Sequence, residues 1–198
     1  MPSSCARWGV TKGGGASLRE ISLHILDLIE NAVRAGAGVI AIAVEEEPEK
    51  DLLCIGVEDN GPGLPVAAEI ATDPFFTTKE GKKTGLGLSL MKFRTEQAGG
   101  TFRLERSCLG GAAVRATMPL SHVDRSPLGD LAATLASVAC TCPDVDLRCR
   151  LRVGEREWRV STADIARRLP VGGRSEIAVA RGMRERIAEG LNDLRVTQ

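Results

Sequence analysis

With 198 residues, 43% of them hydrophobic, the chain carries enough apolar material for one domain of ordinary size and a small second one. Its 26 basic and 26 acidic residues cancel, which excludes a global field steering it to nucleic acid or an anionic membrane, so any polyanion must be held locally. No run approaches the roughly 18 apolar residues of a membrane span, and residues 1 to 16 lack the apolar centre of a secretory signal; a soluble cytoplasmic protein is expected.

Residues 1 to 17 carry Gly13, Gly14 and Gly15 without periodicity and read as a flexible lead-in. Leu18, Ile21, Ile25, Leu28, Ala32 and Ala35 then recur at intervals of three and four, the stripe of an amphipathic helix that Gly36 and Gly38 end. Residues 39 to 44 and 52 to 57 are short runs rich in Ile and Val, expected as strands covered on both faces or nearly so. The acidic stretch 45 to 50 is expected as the turn between them. Residues 86 to 98 predict a helix closed by Gly99 and Gly100, and 101 to 106 with 113 to 120 alternate around Gly110 and Gly111 as a hairpin.

The segment 121 to 127 reads as a linker. Beyond it, Ser126 as cap and Pro127 at the first position predict a helix with Leu128, Leu131, Leu135 and Val138 inward. Val145, Leu147, Cys149, Leu151 and Val153 alternate with Asp and Arg before Gly154 turns the chain toward Trp158 and Val160, a second hairpin. Residues 162 to 169 and 176 to 194 have helical spacing, so 128 to 198 is expected as a small α+β module suited to binding a partner. Six cysteines, at 5, 54, 108, 140, 142 and 149, are scattered through a chain too large to need staples, which favours reduced thiols. Cys140, Cys142 and Cys149 lack a fourth metal ligand nearby.

Four stretches carry chemistry. On the first helix Glu20, His24, Asp27, Asn31 and Arg34 stack along one side, which fits either a solvated face or a face that meets a nucleotide. Asn31 offers an amide oxygen suited to magnesium, which shares oxygen ligands with substrate phosphates. Asp27, one turn earlier, is placed to polarise a hydroxyl or a water as a catalytic base. Asp59, at the end of an apolar strand, can accept a hydrogen bond from an exocyclic amine such as that of adenine. Gly61 and Gly63 let the backbone lie close to a flat ligand, although a plain turn has the same look. Gly85, Leu86 and Gly87 open a helix whose free N–H groups can bind phosphate oxygens. Lys79, Lys82 and Lys83 in the loop before it supply charge that can close over phosphates.

Taken in this order, the stretches from His24 to Ala37, Glu58 to Leu64, Asp73 to Lys79 and Thr84 to Ser89 resemble the GHKL superfamily. That superfamily groups gyrase B, the large heat-shock chaperone, histidine kinases and the mismatch-repair ATPase. The resemblance covers roughly residues 18 to 120. It implies a Bergerat-fold two-layer α/β sandwich, a mixed sheet with helices on one face, followed by the small α+β module. It assigns Asn31 to magnesium, Asp59 to adenine recognition, and Gly61 and Gly63 to the first glycine box. Thr84, Gly85, Leu86 and Gly87 fall in the second glycine box, and Phe76 in the segment before an ATP lid that includes Lys79 and Lys83. Similarity to the kinase members makes Arg34 a phosphate contact. ATP and Mg2+ are the implied cofactors.

The superfamily divides on the residue four before the asparagine. Hydrolases and the anti-sigma-factor serine kinases resemble one another in having Glu there, histidine kinases usually have Asn, and this chain has Asp27. Histidine kinases carry a phosphoacceptor histidine on a helical hairpin before the ATPase domain, and only 17 residues precede it here. His24 lies within the nucleotide helix, and the surroundings of His122 match a phosphorylation box only in part. The expected activity is therefore histidine-kinase-like transfer of phosphate from Mg-ATP to a separate protein, with a homodimer allowed. The alternatives are an ATPase that drives a conformational change and an ATP-sensing module without turnover. Neither nucleic acid nor membrane is an expected partner.

Overall fold

The computed structural model describes residues 20–63 and 86–196, and the statements below concern those residues. In chain order the elements are α1 (Ile21–Arg34), β1 (Val39–Glu47), a 3-10 turn (Pro48–Lys50), β2 (Leu52–Asp59), α2 (Leu86–Gln97), β3 (Thr101–Arg106) and β4 (Ala112–Pro119). There follow α3 (Leu131–Thr141), β5 (Asp146–Val153), β6 (Arg156–Ser161), α4 (Thr162–Arg168), a 3-10 turn (Val171–Gly173) and α5 (Glu176–Leu194). No described helix is long and apolar enough to cross a membrane.

The six strands form one mixed sheet in the order β3-β4-β2-β1-β5-β6. Only the pairing of β1 with β5 is parallel, with Ile40 opposite Leu147 and Val44 opposite Leu151. The residues after position 120, expected as a module of their own, therefore continue the same sheet. Its covered face is built from alternate positions, Ile40, Ile42 and Val44 on β1, Leu53, Ile55 and Val57 on β2, and Leu147, Cys149 and Leu151 on β5, all buried. Ile25 and Ile29 of α1, Leu131 and Leu135 of α3, and Met183 and Ile187 of α5 join them in a single core.

The strands are not covered on both faces. On the second face Ala41, Ala43, Cys54 and Gly56 are only half-buried; these small residues made the runs look continuously apolar. Glu45, Glu46 and Glu47 are not a turn but the end of β1. Their strand conformation is held from far along the chain: Glu45 pairs with Arg150 and, at 2.8 Å, with Arg152, which also reaches Glu47 at 3.0 Å.

The helix expected to begin at Ser126 starts later. Asp130 is its cap, accepting from the Ala133 N–H at 2.8 Å. Pro127 and Leu128 do something else, because their carbonyls accept the N–H groups of Ile21 and Ser22, each at 2.9 Å. Two of the orphan donors at the start of α1 are satisfied in this way, and α1 is tied to the segment that leads into α3.

Asp51 turns the chain into β2 in the left-handed region, φ +52°. Its carboxylate accepts from the Ser121 N–H at 2.8 Å and the Ser121 hydroxyl at 2.6 Å. The hydroxyl bond, then the N–H bond, hold this acid below the usual carboxylate range. A depressed folded value means that the stabilisation is present above the unfolded value and is lost as pH falls through the folded one. Asp51→Asn keeps a residue tolerant of the left-handed region. It is expected to melt below wild type at neutral pH, with the gap in melting temperature closing as pH falls below about 4.

Candidate functional site

The candidate site is assembled along α1. Its buried face, Ile21, Ile25, Leu28, Ile29 and Ala32, fixes the rotation of the helix on the sheet. Asp27 and Asn31 are left half-buried at the edge of that face, and Arg34 is exposed. From Asp27 to Arg34 the axis rises about 10 Å, a length suited to a ligand lying along it.

Asn31 and Arg34 are in contact. The Arg34 guanidinium donates to the Asn31 amide oxygen and pairs with Glu30 at 3.5 Å. At the other end of this face, Asp27 meets the start of α2. A Cβ placed on Gly87 falls 3.3 Å from the Asp27 Cβ and 3.7 Å from its Oδ2, so the glycine is what lets the helix start approach the carboxylate. Thus Asp27 and Gly87, from separate sequence motifs, come together. Leu86 is the first residue of α2. Phe76, Lys79, Lys83, Thr84 and Gly85 lie outside the described residues.

The turn after β2 is laced to the start of β1, just beyond α1. The Asn60 side-chain oxygen accepts from the N–H groups of Gly38 and Val39 at 2.9 and 2.8 Å, and the Asn60 N–H donates to the Val39 carbonyl at 3.2 Å. Asp59 folds back on the turn, its Oδ1 accepting from the Gly61 N–H at 2.8 Å. Its Oδ2 takes no hydrogen bond among the described residues, so one oxygen is fixed and the other is presented. Gly63 adopts φ +86°, a conformation that favours glycine.

Sequence reasoning gave Gly111 no part in the site, yet it forms the back of this turn. Its N–H donates to the Asp59 carbonyl at 3.0 Å, and a Cβ on it falls 2.0 Å from Asp59 Oδ1 and 2.7 Å from the Gly61 nitrogen. The paired glycines before β4 were the only local signal, and they are as common in plain hairpins. Gly111→Ala must push Asp59 aside. Overpacking of this kind costs about 1–3 kcal/mol, and a nucleotide-binding titration is expected to show at least a tenfold loss of affinity alongside a lowered melting temperature.

The three C-terminal cysteines do not gather into a site. Cys149 is buried in the covered face of the sheet, and burial pushes its thiol up to about 12, which disfavours the thiolate a metal needs. Among the described residues no group of three or more His, Cys, Asp or Glu side chains is placed to hold a metal.

Comparison with known proteins bears on this arrangement. The chain is 45% identical over 64 residues to the sensor protein CitS of Halalkalibacterium halodurans, covering 32% of this chain and 12% of that protein. It is 33% identical over 116 residues to the sensor kinase CckA of Brucella abortus, covering 58% of this chain and 11% of that one. The chain thus spans only a small part of the length of these relatives. Among solved structures it is similar to the ATP binding domain of PrrB from Mycobacterium tuberculosis, at 29% identity and a TM-score of 0.38, covering 49% of this chain and 64% of that one. The profile of the histidine kinase-, DNA gyrase B-, and HSP90-like ATPases matches residues 18–122, which include every described residue of the α1 face and of the Asp59 turn. That match takes in more than half of the chain, which therefore belongs to this ATPase family.

Proposed function

We propose that the chain binds Mg-ATP along α1 and passes the terminal phosphate to a separate protein, in the manner of a histidine kinase. The observation that carries this reading is the meeting of Asp27 with Gly87: a candidate base stands against the start of a helix, where free N–H groups and the helix dipole favour phosphate. Asp59 fits adenine, because Gly61 fixes one carboxylate oxygen while the other faces no described donor. Asn31 fits magnesium through its amide oxygen. That oxygen accepts from Arg34; were it to hold the metal instead, the guanidinium would be available to a phosphate oxygen.

When bound, magnesium neutralises charge on the phosphate oxygens. The chain's own residues then divide the work. Asp27 accepts the proton of the attacking hydroxyl or imidazole, Arg34 draws charge from the phosphate, and the start of α2 donates to its oxygens. The ADP formed leaves with the remaining phosphates, and the phosphate ends on the acceptor.

Incubation with terminally labelled ATP, with and without candidate partner proteins, tests this reading. Label on a partner supports it, acid-labile label marking phosphohistidine and acid-stable label marking Ser or Thr. Free phosphate without labelled protein replaces it with hydrolysis, and tight ATP binding without either product replaces it with ATP sensing.

A further inference from the structure

The second face of the sheet lies opposite α1, α3 and α5, and among the described elements only α4 reaches it, at one edge, where Ala163, Asp164 and Arg167 line it. One cross-strand row on that face reads, from β3 to β6, Arg103, Arg115, Gly56, Ala43, Arg150 and Arg159. Arg103 stands directly opposite Arg115, and Arg150 opposite Arg159. Like charges so placed weaken a strand pair unless countercharge is at hand.

On the β5–β6 side the chain supplies that countercharge. Glu45 takes Arg150 and Arg152, and Glu157 takes Arg159 and stands 3.8 Å from Arg150. On the β3–β4 side it does not: Arg103 and Arg115 are exposed and form no ion pair among the described residues.

Between the arginine walls the floor is made of Gly56 and Ala43, with Ala41 and Cys54 beside them, in a trough of about 570 Å³. From β4 to β5 is three strand spacings, about 14 Å, and an α-helix with its side chains is about 10–12 Å across. A glycine within a strand marks a place where another backbone can approach closely. Glu45, Glu58, Asp146 and Asp164 line the same trough, Asp146 paired with Arg148 and Asp164 with Arg167. These carboxylates repel a continuous polyphosphate and favour a ligand whose negative charges are spaced apart.

We propose that this face is a docking surface for an acidic amphipathic helix of a partner protein. The helix lies on the Gly56–Ala43 floor, its small apolar side inward and its carboxylates toward Arg115 and Arg103, unpaired among the described residues, while Arg148 and Arg150 on the other wall stay with Asp146 and Glu45. The surface is on the far side of the sheet from α1, so it stands or falls independently of the nucleotide reading.

The test is an NMR titration of the full chain, without nucleotide, using a synthetic helical peptide of about 18 residues with Ala and Leu on one side and Glu on both flanks. Controls are the same peptide with Lys for Glu and a single-stranded DNA 12-mer. Two variants accompany it. Arg115→Glu reverses the exposed charge, and Gly56→Leu fills the floor with a Cβ that meets only the Ala43 Cβ, at an ordinary 3.5 Å. Arg103→Glu, also exposed, replaces either variant that melts early.

The expected result is shifts at Ala41, Ala43, Cys54 and Gly56 with the acidic peptide, and at least a tenfold weaker affinity in each folded variant. Absent binding, shifts confined to other surfaces, equal binding of the Lys peptide, unchanged affinity in the variants, or preference for the DNA would each overturn the proposal.

Discussion

Asp27→Asn is expected to abolish phosphoryl turnover while nucleotide affinity stays within a few-fold of wild type. The amide has the shape of the carboxylate and sits equally well against Gly87, so the approach of α2 to α1 is kept. What it loses is basicity. A positioned general base contributes about 10²–10⁴-fold to rate, so kcat should fall by that factor and KM should hardly move. Label transfer and phosphate release measured on the same sample check both numbers. If turnover stays within tenfold of wild type, Asp27 is not the base and the start of α2 approaches it for a structural reason.

Leu147→Ala is expected to destabilise the whole chain by about 2–5 kcal/mol, the usual cost of emptying a buried leucine site. Leu147 is 0% exposed and stands opposite Ile40 in the parallel β1–β5 pair. Against a total stability of about 5–15 kcal/mol that is a large share. The effect should also reach the candidate site, because β5 supports it through the backbone. The Asp146 N–H donates to the Gly38 carbonyl at 2.9 Å, and the Gly38 N–H is one of the two that hold Asn60 beside Asp59. A urea titration should show one cooperative transition with a lower midpoint. A loss below about 1 kcal/mol, or two separate transitions, would mean that residues after 120 fold as a detachable unit.

Much of the architecture is legible where the information is local. The stripe of α1, both hairpins, and the spans of α4 and α5 follow from spacing and turn residues. What sequence reasoning missed is non-local. The parallel contact of β1 with β5 joins residues more than 100 positions apart, and no turn between them announces it. For the same reason Glu45 and Glu47 looked like a turn: the arginines that hold them in β1 come from β5. Ala and Gly on the second face counted as apolar although their small side chains mark an open surface. At the candidate site, Asp27 and Gly87 meet although they come from separate stretches of the sequence. Gly111 was hidden because close packing against Asp59 leaves no sequence signature beyond two glycines in a turn.

The central claim, that Asn31 and Asp59 form the magnesium and adenine ends of one ATP site on α1, is tested most directly by calorimetric titration with ATP, with and without Mg2+. The wild type, Asn31→Ala and Asp59→Ala should be compared, each first shown to melt as wild type does. The wild type is expected to bind ATP more tightly with Mg2+, Asn31→Ala to lose this dependence on the metal, and Asp59→Ala to lose binding in both conditions. Unchanged affinity in both variants would contradict that claim.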